Sequence, residues 1–101
     1  MRYPVVPTDP GVTRQVLAEN PDLMVVAFRF LDGAEGKLHD HPHAQATYVE
    51  AGRFTFTVGD VTHDLGPGDS IVIPSGMRHG CVCTAAGTLI DSFTPRRDDF
   101  L

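Results

Sequence analysis

Turn-forming residues interrupt this chain roughly every 8 to 12 residues, and this spacing limits the possible folds more than any other feature. Each turn contains glycine, proline, asparagine or aspartate. The turns are Asp9-Pro10-Gly11, Asn20-Pro21-Asp22, Asp32-Gly33, Gly52, Gly59-Asp60, Gly66-Pro67-Gly68-Asp69, Pro74-Ser75-Gly76 and Ala86-Gly87. Short segments between such closely spaced turns are typical of an all-β sandwich or barrel.

The segments between the turns have the composition of strands. They are rich in β-branched and aromatic residues and cover 23–30, 47–50, 53–58, 70–73 and 88–93. In 53–58, phenylalanine and valine alternate with polar residues, which predicts one inward face, and the Gly59-Asp60 turn then predicts a β-hairpin. Residues 12–19 fit a short helix and a strand equally well, and we assign them to a strand.

Length and composition favour one domain over residues 1–101. A chain of 101 residues with 42% hydrophobic composition suits a single core, and no linker or repeat divides it. The longest apolar runs fall far short of the roughly 20 residues that a membrane span needs. A net charge of -5, with only eight Lys and Arg, argues against a nucleic-acid partner. Because the N-terminus lacks the pattern of a signal peptide, we expect a cytoplasmic protein.

The two cysteines, Cys81 and Cys83, are separated by one residue. A loop this short cannot supply the stabilisation of a structural disulfide, so we predict reduced thiols, as in a cytosolic protein. The simplest interpretation is two small buried side chains on one face of a strand. Both share the parity of His79, so the alternative is that they face the same cavity and line its wall.

Histidines dominate the part of the sequence that can carry chemistry. His39 and His41 are two residues apart and would project to the same face of an extended strand, and Gln45 follows at the same parity. His79 follows a turn at the point where the chain enters a later strand. Three imidazoles and one amide oxygen suit one divalent transition metal ion, so we predict these four residues as its ligands. Nickel, zinc, manganese, iron, cobalt and copper all remain possible. His43 is either a neighbour of the site or an alternative ligand.

Two sequence motifs resemble those of the cupin superfamily. The first, G-x5-H-x-H-x3-E-x6-G, matches residues 33–52 at every spacing, with Gln45 in the place of the acid. The second, G-x5-P-x-G-x2-H-x3-N, matches residues 68–83, with Cys83 in the place of Asn. This resemblance implies an all-β, single-domain cupin fold, which is a jelly-roll β-barrel.

Beyond these motifs, residues 11–101 resemble the KdgF-type cupins of pectin and alginate breakdown, in which a Gln is expected at position 45. The similarity is carried by Gly11-Val12-Thr13-Arg14-Gln15-Val16-Leu17, Asp22-Leu23-Met24, His39-Asp40-His41-Pro42-His43, Gln45, Thr47-Tyr48-Val49, Gly68-Asp69-Ser70, Ile73-Pro74, His79-Gly80 and the ending from Asp91 to Leu101. It implies an isomerase-like enzyme that converts 4,5-unsaturated monouronates to linear ketonised uronates.

The C-terminal segment supplies the candidate catalytic residues. Asp91 and Phe93 alternate with Ile90 and Ser92, so either this carboxylate or its neighbours point inward, and a carboxylate inside an apolar barrel is a candidate acid or base. The alternative is a surface aspartate. In the uronate hypothesis, Asp91 moves the proton, Phe93 packs on the sugar ring and Arg97 binds the uronate carboxylate; otherwise Arg97 makes a surface ion pair.

The neutral Gln45 amide leaves a bound metal ion more Lewis-acidic than a carboxylate would. This favours polarising a substrate hydroxyl or carbonyl over high-valent oxygen chemistry. A metal-dependent cupin dioxygenase and a non-catalytic sugar- or metal-binding cupin are the alternatives. We also expect a homodimer that covers an edge strand, with the N-terminal strand as a candidate. The sequence leaves open whether the uronate comes from pectin or alginate.

Overall fold

The computed structural model describes residues 2–101, which form eight strands and one turn of 3-10 helix. The strands are β1 (Val5–Pro7), β2 (Val12–Asn20), β3 (Leu23–Phe30), β4 (Glu35–His39), β5 (Ala44–Val58), β6 (Val61–Leu65), β7 (Ser70–Ile73) and β8 (His79–Thr94), and the 3-10 turn is Asp98–Phe100. All strand pairs are antiparallel. The all-β prediction is therefore confirmed, and the assignment of 12–19 to a strand is correct. Within the described residues, no helix has the length and apolar character needed to cross a membrane.

The two longest strands, β5 and β8, run through the whole sheet and pair with each other. The first half of β5 pairs with β7 and with the second half of β8. The second half of β8 also pairs with β3, which pairs with β2, and β2 pairs with β1. The second half of β5 pairs with β6 and with the start of β8, which also holds β4. The strands thus form two layers of the sheet, which we call leaves. The first contains β1, β2, β3, β7 and the adjoining halves of β5 and β8, and the second contains β4, β6 and the other halves of β5 and β8. Phe30 of the first leaf and Phe54 of the second meet with ring centroids 5.1 Å apart, so the leaves face each other across the core.

Two of the predicted turns are not turns. Gly52 lies inside β5, and Ala86-Gly87 lies inside β8, at the point where the register between these strands shifts. Gly52 has φ +80°, and a Cβ there would overlap the Ala85 carbonyl oxygen; a Cβ on Gly87 would overlap that of Ala51. Glycine at these positions lets the two backbones touch where the sheet passes from one leaf to the other.

The inward faces of the leaves form the core. The predicted alternation in 53–58 is confirmed, because Phe54 and Phe56 are buried whereas Arg53 is exposed, and the predicted hairpin joins β5 to β6. Cys81 and Cys83 are free, buried thiols on one face of β8, as predicted. The main cluster consists of Val12, Phe30, Ala34, Val49, Phe54, Phe56, Ile73, Cys81, Cys83 and Leu89, and a second contains Val16, Met24, Val26 and Phe93.

The C-terminal segment after β8 folds back against the sheet. Arg96 forms an ion pair with Glu19 at the end of β2 (2.9 Å), and the hydroxyl of Tyr3 donates a hydrogen bond to the same carboxylate (2.6 Å). The ring of Phe100 packs edge-on against Phe28 and Phe93, at centroid distances of 6.1 and 5.8 Å. These contacts hold the 3-10 turn over one end of the space between the leaves.

Candidate functional site

Three of the predicted metal ligands come together at one point. His39 ends β4 and lies opposite His79, the first residue of β8, and His41 follows in the connection to β5. The possible ligand atoms of the three rings all lie within 4.8 Å of one another. His41 and His79 are buried, whereas His39 is exposed. The expectation that His39 and His41 share one strand is wrong, because β4 ends at His39, but the rings still converge.

The three imidazole rings are oriented in the same way by the backbone. In each ring, Nδ1 lies close to a main-chain carbonyl oxygen two residues away in the sequence. The pairs are His39 with Lys37 (2.6 Å), His41 with His43 (2.9 Å) and His79 with Met77 (2.9 Å). Because a carbonyl oxygen only accepts hydrogen bonds, each Nδ1 carries a proton, and in the neutral form of the ring Nε2 is left with a lone pair.

Gln45 adds a fourth donor atom to this group. Its amide nitrogen donates to Thr47 Oγ1 (2.9 Å) and to Asp91 Oδ2 (3.2 Å), which turns the amide oxygen Oε1 toward His41 Nε2 at 2.9 Å. With the His41 proton on Nδ1, no proton lies between these two atoms. Nε2 of His79 is buried and has no hydrogen-bond partner among the described residues. Converging lone pairs without a proton to share fit a cation, so these residues could hold a metal ion.

Burial keeps the two inner histidines neutral. Loss of solvation lowers the pKa of His79 to about 4, and it also lowers the pKa of His41. In both cases the hydrogen bond to a backbone carbonyl opposes this change, and the positive charge of Arg97 adds to it. Metal ions bind only deprotonated imidazole, so these rings are ready to ligate at neutral pH.

The histidine group opens into a cavity of about 320 Å³ between the leaves. His39, Gln45 and His79 lie in its wall, and this volume suits a small organic molecule. The apolar part of its lining is formed by Val12, Phe28, Phe30, Phe56, Leu89, Phe93 and Phe100. The charged side chains that line it are Asp9, Arg14, Lys37, Asp91 and Arg97. The cavity thus combines an apolar face with cations that could bind an anionic ligand.

Asp91 lies inside the cavity and not on the outer surface. It is 5% exposed on β8, opposite Thr47 of β5. One carboxylate oxygen, Oδ2, accepts the hydrogen bond from Gln45, and the other, Oδ1, is buried and has no hydrogen-bond partner within residues 2–101. Burial raises the pKa of Asp91 to about 7, against the opposing effects of Thr47, Arg97 and Gln45. A carboxyl group that titrates near neutral pH can both accept and donate a proton.

Phe93 and Arg97 lie on the same side of the cavity. Phe93 is 2% exposed, and its ring meets that of His41 at a centroid distance of 5.6 Å. The Arg97 guanidinium lies 5.1 Å from the Phe93 centroid and 4.1 Å from that of Phe100. Arg97 donates to both carboxylate oxygens of Asp99, from Nε (3.0 Å) and from Nη2 (2.8 Å). It therefore lines the cavity and at the same time makes an ion pair.

Comparison with known proteins identifies the family. The model of the cupin domain matches residues 26–91. This chain is a cupin. It is 38% identical over 93 residues to the pectin degradation protein KdgF of Dickeya dadantii, a match that covers 90% of this chain and 84% of that protein. This relationship confirms the resemblance to KdgF-type cupins.

Solved structures agree with this assignment. KdgF from a Halomonas species superposes with a TM-score of 0.92 and 39% identity, covering 98% of this cupin and 92% of that chain. An RmlC-like cupin from Shewanella frigidimarina gives a TM-score of 0.94 and 41% identity, with coverage of 98% and 89%. Oxalate decarboxylase of Bacillus subtilis, at 22% identity and a TM-score of 0.85 over 92% of this chain and 27% of its own length, shares the fold alone.

The remaining candidates take different places in this cupin. The His43 ring lies 5.5 Å from that of His41, outside the triad, and its Nδ1 is buried with no hydrogen-bond partner in the part of the chain that the structure describes. Cys81 lines the cavity, but burial raises the pKa of its thiol to about 12, so it stays protonated and is a poor ligand. Cys83 lies in the core, where its thiol donates to the Ala85 carbonyl (3.2 Å).

Arg14 is a residue of the cavity that was not predicted from the sequence. It has the parity of Val12 and Val16, which are both buried on β2, and it lines the cavity of this cupin. The alternation of this strand would have placed the arginine on the inner face. The signal was present in the sequence, but the equal fit of residues 12–19 to a helix and a strand obscured it.

Proposed function

We propose that this cupin binds one divalent transition metal ion through Nε2 of His39, His41 and His79 and through Oε1 of Gln45. The proposal is supported by the common orientation of the three rings, by the neutral state of the inner two and by the short distance between His41 and Gln45. When bound, such an ion supplies Lewis-acid chemistry, which polarises a hydroxyl or carbonyl oxygen of a substrate. Asp91 fixes the Gln45 amide through its hydrogen bond and so orients the fourth donor atom.

We infer that the substrate is a 4,5-unsaturated monouronate, which this cupin converts to its linear ketonised form. The two relatives named KdgF support this substrate class, and the first is named as a pectin degradation protein. In this isomerisation the ring C–O bond at the anomeric carbon breaks, and the anomeric hydroxyl loses its proton to become an aldehyde. The former ring oxygen takes up a proton and becomes the hydroxyl of an enol. This hydroxyl then loses its proton as the neighbouring alkene carbon is protonated to CH2, and the carbon that bears the oxygen becomes a ketone. All atoms are retained, and no electrons are exchanged with another molecule.

The observation that carries this proposal is the buried carboxyl group of Asp91 beside the histidine group. Its Oδ1 is buried and has no hydrogen-bond partner among residues 2–101, the residue lines the same cavity, and burial raises the pKa of its carboxyl group to about 7. Asp91 can therefore take the proton from one position of the sugar and return it at another, which is what the isomerisation requires. Gln45 donates a hydrogen bond to the carboxyl group and so holds it in place for both transfers, and Thr47 holds the Gln45 amide in turn.

The rest of the cavity fits a sugar acid. Phe93 presents an apolar surface on which a ring can pack, and Arg97 can offer a planar fork to a carboxylate. The volume of about 320 Å³ suits one monosaccharide and not a polymer. We therefore place the enzyme after a lyase that releases unsaturated monouronates.

The test is the loss of ultraviolet absorbance of a lyase-generated unsaturated monouronate. The metal-loaded protein, the chelated protein and the chelated protein with metal restored are compared with the spontaneous rate. We expect faster decay with the first and third samples only, with a linear keto acid identified by NMR as the product. Decay at the spontaneous rate in all three samples would contradict the proposed reaction. Oxygen uptake measured with the same samples would instead reveal a dioxygenase.

We further propose that two copies associate through β1. Among the described residues this strand lies at the edge of the sheet and pairs with β2 alone, and its three residues are exposed, including Val5 at 54% and Val6 at 37%. An open, apolar edge strand is commonly covered by a second chain. Light scattering should give twice the mass of one chain for the parent protein and a lower mass for Val6→Lys. A single-chain mass for the parent at every concentration would contradict this arrangement.

A further inference from the structure

Arg14 is a cation on the inner face of β2 that has no hydrogen-bond partner among residues 2–101. It shares this face with Val12 and Val16, which are 4% and 5% exposed, and it lines the cavity. The side-chain hydrogen bonds and ion pairs of the described residues include none from Arg14. A half-buried guanidinium with unused donors is costly unless a ligand satisfies it, because its desolvation is not repaid.

Arg14 and Arg97 converge on one aromatic ring. The guanidinium carbon of each lies 4.1 Å from the centroid of Phe100. Stacking on an aromatic ring leaves the edge of a guanidinium, where its N–H donors lie, free for a planar anion. Both guanidinium groups therefore lie beside Phe100, and all three residues line the cavity.

The local charges leave one of these two cations without a matched acid. Asp99 engages Arg97 through two hydrogen bonds and makes none with Arg14. The acids in the cavity wall are Asp9 and Asp91, and neither forms an ion pair with Arg14 among residues 2–101. One more negative charge, supplied by a ligand at this end, would balance the pair.

We propose that Arg14 binds the carboxylate of the substrate and determines the preference of the cavity for sugar acids over neutral sugars. The inference rests on the proposed function for the identity of the acid, an unsaturated uronate. We assign this role to Arg14 because its N–H donors are free of hydrogen bonds to the described residues, whereas Nε and Nη2 of Arg97 donate to Asp99 in the protein without substrate. A carboxylate can then accept hydrogen bonds from both arginines against the face of the cavity closed by Phe100.

The test uses galacturonate, a saturated uronate that cannot undergo the reaction, and galactose as its neutral analogue. Binding to the metal-loaded protein is measured by calorimetry for the parent, Arg14→Gln, Arg14→Lys and Arg29→Gln. Arg29 is a matched control, because it is exposed on β3 and donates to Gln15 outside the cavity wall. Metal content and the unfolding temperature of each variant show whether the fold and the histidine group are intact. Arg14→Lys keeps a cation over Phe100 and tests the fork if Arg14→Gln is unstable.

We expect the parent to prefer galacturonate to galactose, and Arg14→Gln to weaken galacturonate binding on the order of tenfold while leaving galactose binding unchanged. Arg14→Lys should bind weakly as well, and Arg29→Gln should match the parent. Equal affinity of the parent for the two sugars, or unchanged galacturonate binding in the Arg14 variants, would overturn the inference.

The two proposals can fail separately. If the parent does not linearise unsaturated uronates but its galacturonate binding depends on Arg14, the proposed reaction is wrong and the role of Arg14 stands. If the parent linearises the uronate and Arg14→Gln keeps the parent KM, the reaction stands and the role of Arg14 is wrong. A raised KM with a nearly unchanged kcat in Arg14→Gln would support both, because the carboxylate itself is unchanged by the reaction, and an arginine that binds it contributes to binding in ground and transition states alike.

Discussion

The Nε2 atom of His41 lies 2.9 Å from the Oε1 atom of Gln45, and both atoms present lone pairs to the same space. The His43 carbonyl fixes the proton of His41 on Nδ1, and Asp91 fixes the orientation of the Gln45 amide. Two acceptors at this distance repel each other unless a positive charge lies nearby. This pair is therefore the most direct structural support for a cation at the histidine group.

Loss of one triad member should remove the metal. In His79→Ala the buried Nε2 donor is lost, and we expect metal affinity to fall at least tenfold, since imidazole ligands cannot be replaced by water at equal strength. Elemental analysis after dialysis measures the retained ion. His63→Ala is the control, because His63 lies on β6 outside the triad. Equal metal content in the parent and His79→Ala would show that this residue is not a ligand.

Removal of the metal should lower the unfolding temperature. A ligand that binds only the folded state at a thousand times its Kd stabilises that state by about 4 kcal/mol. For a domain of this size, each kcal/mol corresponds to roughly 4 to 8 °C. Scanning calorimetry of the chelated and metal-restored protein should therefore show a clear, reversible difference. Identical transitions with and without metal would argue that the histidine group holds no ion in the folded protein.

Freeing Arg97 from its ion pair should strengthen substrate binding. Asp99→Asn removes the charge that holds both donors of the Arg97 fork, so the uronate carboxylate no longer competes with a resident carboxylate. We expect KM to fall severalfold with kcat nearly unchanged. Asp98→Asn is the matched control, because Asp98 pairs with Arg96. A higher KM in Asp99→Asn would mean that Asp99 positions Arg97 for the substrate and does not compete with it.

A side chain at Gly52 should destabilise the fold at the point where the register between β5 and β8 shifts. A methyl group there would overlap a backbone oxygen and would also force a residue with φ +80°. Gly33 has a similar φ, +78°, but a methyl group at Gly33 would have no atom within 4 Å, so Gly33→Ala reports the backbone cost alone. Urea unfolding should show Gly52→Ala less stable than Gly33→Ala by about 1 to 3 kcal/mol. Equal loss in the two variants would show that the contact relaxes freely.

The sequence predicted the fold and the histidine group well because both depend on local patterns. The spacing of turns marks strands, and the two histidine motifs fix which residues meet when β4 and β8 pair. Gly52 and Gly87 were misassigned because glycine permits a bulge or close strand contact as readily as a turn.

Other features of the site depend on contacts between residues that are distant in the sequence, or on which of several local partners is chosen. Arg97 and Asp99 are two residues apart in the sequence, and this spacing alone does not predict that Arg97 pairs with Asp99 and not with a ligand. The pKa of Asp91 depends on the burial that β3 and β5 provide on either side of β8. The stacking of Arg14 on Phe100 joins β2 to the C-terminal turn, and no sequence pattern links these segments.

The most direct test of the central claim is the rate at which metal-loaded Asp91→Asn linearises an unsaturated monouronate. Asparagine keeps the shape of the side chain but cannot exchange a proton, so we expect the rate to fall on the order of 100-fold or more with full metal content. Asp64→Asn, in which an exposed aspartate that pairs with Thr55 is changed, should keep the parent rate. An Asp91→Asn protein that is folded, loaded with metal and as fast as the parent would contradict the assignment of Asp91 as the proton carrier.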